Sequence, residues 1–163
     1  MRRVAASVCF IPLFAVIAAP GGARSGSAAQ GRAPALTPRE SALVSAINSA
    51  RTLQRLSKLR VDAQLTRAAR YHSRDMLRRQ YFAHGDFGGR MATFHVRGRI
   101  FAENLVWGSG VLTAKAAVAA WLKSPPHRAN LLNPRFLRLG VATPLGSFGG
   151  YATATMITAD FAG

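Results

Sequence analysis

Cysteine is almost absent from this chain: Cys9 is the only one in 163 residues. Val8 precedes it where a lipid-attachment signal carries a small residue, so Cys9 is not read as a lipid anchor. A disulfide framework is excluded, and so is a thiolate metal site. Acidic residues are scarce as well, with six Asp and Glu against 22 Lys and Arg. There is no uninterrupted apolar run long enough for a stable membrane anchor, because the stretch Val4 to Ala19 is short and broken by Pro12. Neither a G-x-S-x-G nucleophile elbow nor an H-E-x-x-H metalloprotease helix occurs. No internal repeat is visible.

What is present at the start is an export signal. Arg2 and Arg3 precede the apolar stretch, and Ser27-Ala28-Ala29 forms an A-x-A-like cleavage site before Gln30, with Ala23 as an alternative. Residues 1–29 are thus expected to be a signal peptide, residues 30–36 a flexible leader, and residues 37–163 one domain. The expected location is secreted or periplasmic. The whole chain carries +16; removing Arg2, Arg3 and Arg24 from its 22 basic residues leaves 19 against six acids, or +13. Such a field attracts anionic surfaces weakly and without naming a partner.

Thr37-Pro38-Arg39-Glu40 reads as a capping box with proline at the first helical position. The helix that follows ends before the stretch Leu56 to Val61. Asp62 caps a second helix running to about Gln80. On it Leu65, Ala68, Ala69, His72 and Met76 share one side, and Arg67, Arg70, Arg74 and Arg78 share the opposite, solvated one. Gly85 to Gly98 is read as an irregular loop that includes His95, and Phe101 to Trp107 as extended. Thr113 caps an alanine-rich helix. Ser124 stops it and caps a short helix to Leu132, with Pro125 at its first position. Two strands close the chain, Leu139 to Pro144 and Tyr151 to Phe161, the second half-buried by its alternation. This order gives an α+β layered domain.

Five ordered blocks make the reading specific: Ala68-Ala69 with His72-Ser73 and Asp75-Met76; Tyr81-Phe82-Ala83-His84; Glu103-Asn104-Leu105; Trp121 through Ser124-Pro125-Pro126-His127-Arg128-Ala129-Asn130-Leu131-Leu132-Asn133-Pro134; and Phe136 with Gly140-Val141. Over roughly residues 38–161 the chain resembles the bacterial branch of the CAP superfamily, the SCP-like proteins related to cysteine-rich secretory proteins, venom allergens and plant pathogenesis-related proteins. The resemblance implies an α-β-α sandwich with a central antiparallel sheet between helical layers. It also implies a cleft of two histidines and two acids, matched by His84, Glu103 and His127, with Ser124 standing where the second acid falls. The terminal strand Met156 to Phe161 departs from its relatives, which usually carry an aromatic and a glutamine there.

Two imidazoles and a carboxylate suit zinc or another divalent ion, which makes His84 and His127 candidate ligands with Glu103 nearby. The alternative is a polar network that braces the sheet with no metal. Two functions stay open: a binding module whose cleft takes a metal and a small lipid or other amphiphile, as eukaryotic relatives bind sterols and lipids, or a secreted hydrolase acting on protein, cell wall or nucleic acid. No catalytic residue is assigned. Ser124 is expected to cap its helix rather than attack a substrate. Glycosidase chemistry needs two carboxyls, and only Glu103 is assigned to the cleft, with Asp86 on the following loop. Structural roles are expected for His72 as a buried neutral histidine, for Asn48 and Arg51 as a hydrogen-bonding pair, for Asn104 toward nearby backbone, and for Trp121 and Trp107 as core anchors.

Overall fold

The computed structural model describes residues 35–163; the expected signal peptide and most of the expected leader lie outside the described residues. The elements are α1 (Pro38–Leu53), β1 (Arg60–Val61), α2 (Ala63–Arg79), α3 (Phe87–Thr93), β2 (Phe101–Ser109), α4 (Ala114–Lys123), α5 (Pro125–Leu131), β3 (Arg138–Ala142), β4 (Leu145–Phe148) and β5 (Tyr151–Ala162).

Strand β5 organises the sheet. β2 runs antiparallel along one side of it, and β3 followed by β4 runs antiparallel along the other. β1 adds two residues in parallel to β3, the single exception to an antiparallel sheet. Alternate residues of β5 face opposite layers. Ile157, Ala159 and Phe161 pack into the larger core with Leu43, Ile47, Trp121 and Leu131 of α1, α4 and α5. Ala154, Met156 and Ala162 face α2 and α3, meeting Met76 on one side and Leu65, Ala68, Phe87 and Met91 on the other. Helices on both faces of one sheet make the expected α-β-α sandwich.

Helix starts follow the sequence closely. Thr37 and Glu40 exchange the reciprocal hydrogen bonds of a capping box, and the Asp62 carboxylate accepts from the Gln64 and Leu65 amides. Gly140 is required by packing, since a Cβ there would stand 2.1 Å from the Leu65 carbonyl carbon, so only glycine lets α2 lie against β3.

Four expectations need correction. The glycine-rich stretch after His84 contains α3, because the Asp86 side chain accepts from the Gly89 amide and Phe87 and Met91 have an apolar face of α2 to bury against. The connection between the last two strands contains β4, which turns back onto β5 through Gly149-Gly150, both at positive φ. From Ala154 to Ala162, β5 is buried continuously rather than alternately, because helical layers cover both of its faces. Trp107 is only half-buried, held at the sheet end by Phe148 and Tyr151 with ring centroids 4.9 and 6.1 Å away; Trp121 is buried as expected.

Candidate functional site

The site lies at the free edge of β2. Glu103, Leu105 and Trp107 point to the α2 side of the sheet, whereas Ala102, Asn104 and Val106 point to the α4 and α5 side. The outward carbonyls of this edge are covered: Trp121 Nε1 donates to the Leu105 carbonyl at 3.0 Å, and Asn130 Nδ2 donates to the Glu103 carbonyl at 3.4 Å. Asn104 carries the same job inward, donating to the His127 carbonyl at 2.9 Å while accepting from Asn130 Nδ2 at 3.0 Å. That triangle fixes the first turn of α5 against β2, and with it the place of His127.

Glu103 is the hub. Its Oε1 lies 2.7 Å from His84 Nδ1, and Oε2 accepts from the Arg90 guanidinium in a buried ion pair. Arg90 also donates to the His84 carbonyl at 3.1 Å, which ties the loop before α3 to the hub. His72 Nε2 sits 3.7 Å from Glu103 Oε2 and 3.0 Å from the Ala83 carbonyl, to which it donates. On the other side His127 Nδ1 is 2.8 Å from Ser124 Oγ.

The second acid comes from a position that sequence reasoning did not assign. Glu103 and Asp160 are direct partners in the β2–β5 register. The Glu103 backbone carbonyl faces outward, which marks a non-hydrogen-bonded pair, the kind with the closer side chains. Asp160 is fully buried, and neither of its carboxyl oxygens has a donor from the rest of the protein. Two adjacent buried carboxyls cannot both ionise beside one guanidinium, so the pair holds a proton. Burial raises the Asp160 carboxyl well above its ordinary range and the Glu103 charge raises it further, which places the proton on Asp160. Burial pushes Glu103 up too, to about 7, opposed by the Arg90 charge.

The three histidines at the site are shifted the other way. Burial, then the Arg90 charge, pushes His72 down to about 3. The same two causes lower His84, and burial followed by the nearness of His84 lowers His127. All three are therefore neutral near pH 7. When Glu103 is ionised it only accepts, so His84 then carries its proton on Nδ1 and its Nε2 offers a lone pair.

The structure thus joins His84 to Glu103, and it holds His127 by its carbonyl against Asn104, the residue after Glu103. It corrects Ser124: the residue is the N-cap of α5, but its hydroxyl makes no capping bond and turns to His127 instead. Asp86 caps α3 rather than serving the site. His72 is neutral and bonded to backbone as expected, yet it also abuts the hub. Asn48 pairs both ways with the Leu59 backbone, and Arg51 donates to the carbonyls of Ser57, Leu131, Asn133 and Phe136. The zinc expectation fares differently. Among the described residues no group of three or more His, Cys, Asp or Glu side chains is arranged to hold a metal ion. Both Glu103 oxygens are engaged, one by a guanidinium, which leaves two imidazoles and no carboxylate free to join them. That donor set does not fit zinc.

Comparison with known proteins agrees with this architecture. Two Bacillus subtilis (strain 168) proteins are similar to the chain: YkwD, 35% identical over 107 residues, and the membrane protein YlbC, 33% identical over 110. The matched regions are 63% and 64% of this chain but only 41% and 31% of those proteins. Among solved structures, an extracellular SCP-domain protein from Bacillus anthracis superposes with a TM-score of 0.60 at 27% identity, covering 80% of this chain and 45% of that one. An outer surface protein from Borrelia burgdorferi shares the fold at a TM-score of 0.57 and 23% identity, over 73% and 87% of the two chains. The described helices include none long and apolar enough to cross a membrane. The profile of the cysteine-rich secretory protein family, CAP, matches residues 44–161, and the chain belongs to that family.

Proposed function

We propose that the chain is an exported CAP module that binds a neutral amphiphile at the β2 edge and does not turn it over. One observation carries this reading: His84, which is bonded to Glu103 through Nδ1, comes two residues after Phe82, which packs with Leu105 and Trp107. Leu105 and Trp107 follow Glu103 on the same face of β2. His84 Nε2 suits a hydroxyl or amide donor, and the apolar cluster suits an alkyl chain. Glu103 and Asp160 are buried, so a glycosidic bond has no access to a position between them, as glycoside hydrolysis requires.

The hydrolase reading keeps one specific observation, the contact between Ser124 Oγ and His127 Nδ1. Against it, Ser124 is 5% exposed and no carboxylate orients His127. A single probe separates the readings, because 1-lauroylglycerol offers hydroxyl donors, an alkyl chain and a cleavable ester. The binding reading expects saturable quenching or shifting of Trp107 fluorescence, weakened in His84→Ala and His127→Ala, with no release of laurate. Laurate release that disappears in Ser124→Ala would establish the hydrolase instead. Export itself is checked by the N-terminus of the extracellular protein, expected near Gln30.

A further inference from the structure

The arginine face of α2 is not the uniform solvated stripe its spacing suggests. Arg70 is clamped by Glu40, with contacts of 2.8 and 2.5 Å to its two oxygens, and Arg78 by Asp75 at 2.5 Å. Arg67 and Arg74 are exposed and have no carboxylate partner among the described residues; residues 1–34 contain no Asp or Glu to supply one. Between them on the same helix face stands Tyr71, 55% exposed, its ring tilted against Phe94 at 5.6 Å. These groups line a groove of about 630 Å³. A second groove, of about 520 Å³, shares Tyr71 and Phe94 and extends the depression toward Arg90.

We infer that this groove binds single-stranded nucleic acid, with a base stacked on Tyr71 and phosphates held by Arg67 and Arg74. The spacing supports this occupant. Seven residues at about 1.5 Å rise set the two guanidiniums' backbone positions roughly 10 Å apart along the helix, with the aromatic ring between them. A phosphate, ring, phosphate order is what a polynucleotide presents, and sequence-tolerant stacking on an aromatic within a basic groove is how single strands are held. Guanidinium groups match phosphate oxygens in pairs. A flat bilayer surface would not need a groove lined by the Tyr71 and Phe94 rings. Arg67, Tyr71 and Arg74 are exposed and none of them bonds to Glu103, His84 or His127, so the site is tested separately from the amphiphile reading.

The test is fluorescence anisotropy of a labelled eight-residue oligothymidylate with the protein between 50 and 200 mM salt. Arg67→Ala/Arg74→Ala is expected to reduce the slope of log affinity against log salt by about 1.4, the loss of two single-strand phosphate contacts. Tyr71→Leu is expected to weaken binding about tenfold with the slope unchanged. Arg55→Ala/Arg135→Ala, which removes the same charge elsewhere on the exposed surface, is expected to change neither. Equal losses in the two arginine pairs would reduce the effect to diffuse charge and overturn the site. A neutral Tyr71→Leu would also overturn it. Phosphatidylglycerol vesicles that displace the oligonucleotide and need Tyr71 would replace nucleic acid with membrane as the occupant.

Discussion

Glu103 and Asp160 stand opposite each other across the β2–β5 ladder, and one guanidinium, Arg90, pairs with Glu103 alone. A carboxyl whose native pKa is raised binds its proton more tightly in the folded state. Its contribution to stability is therefore present at low pH and declines as pH rises from the ordinary aspartate range toward the raised native value. Asp160→Asn keeps the shape, supplies an amide donor to Glu103 and removes the titration. Urea denaturation should show the variant gaining about 1–3 kcal/mol on the wild type between pH 5 and pH 8. Equal pH profiles for the two proteins would mean that Asp160 does not hold the proton.

His72 acts in the opposite sense. Its native value of about 3 lies below that of an unfolded histidine, so the unfolded chain takes up the proton first. Stability should rise with pH between about 3 and 6.5, by up to about 1.4 kcal/mol per pH unit from this group. His72→Asn retains a donor toward the Ala83 carbonyl and should flatten that limb, at a cost of about 1 kcal/mol near pH 7. Thermal melts across the acid range would expose the difference.

Arg51 holds four backbone carbonyls drawn from the segments after α1 and around the end of α5. A lysine has the charge but not the planar fork, so it cannot reach them together. Arg51→Lys should cost about 2–3 kcal/mol and Arg51→Ala about 4 kcal/mol, each by leaving buried carbonyls unpaired. A change within about 0.5 kcal/mol for Arg51→Ala would show that water replaces the guanidinium there.

Most of the scaffold was legible locally. Thr37, Asp62 and Thr113 announce helix starts because a cap is a matter of three or four neighbouring residues. The family blocks then place His84, Glu103 and His127. What stayed hidden depends on distant pairing. Asp160 looks like a lone acid in an apolar strand, and only the register of β2 on β5 turns it into the partner of Glu103. Arg90 falls in a stretch whose glycines mask a helix stabilised by burial of Phe87 and Met91. The Ser124 hydroxyl had two partners within a turn, the helix amides and His127, and local rules favour the wrong one.

The amphiphile proposal requires that two neutral imidazoles, His84 and His127, act together on one ligand. Nitrogen-15 NMR of the histidine rings at pH 7, with and without 1-lauroylglycerol, tests it most directly. The account predicts neutral His84 and His127, His84 protonated at Nδ1 with an unprotonated Nε2, and shifts of both rings on adding the amphiphile. An imidazolium signal from His84 at pH 7, or an amphiphile that moves neither ring, would contradict it.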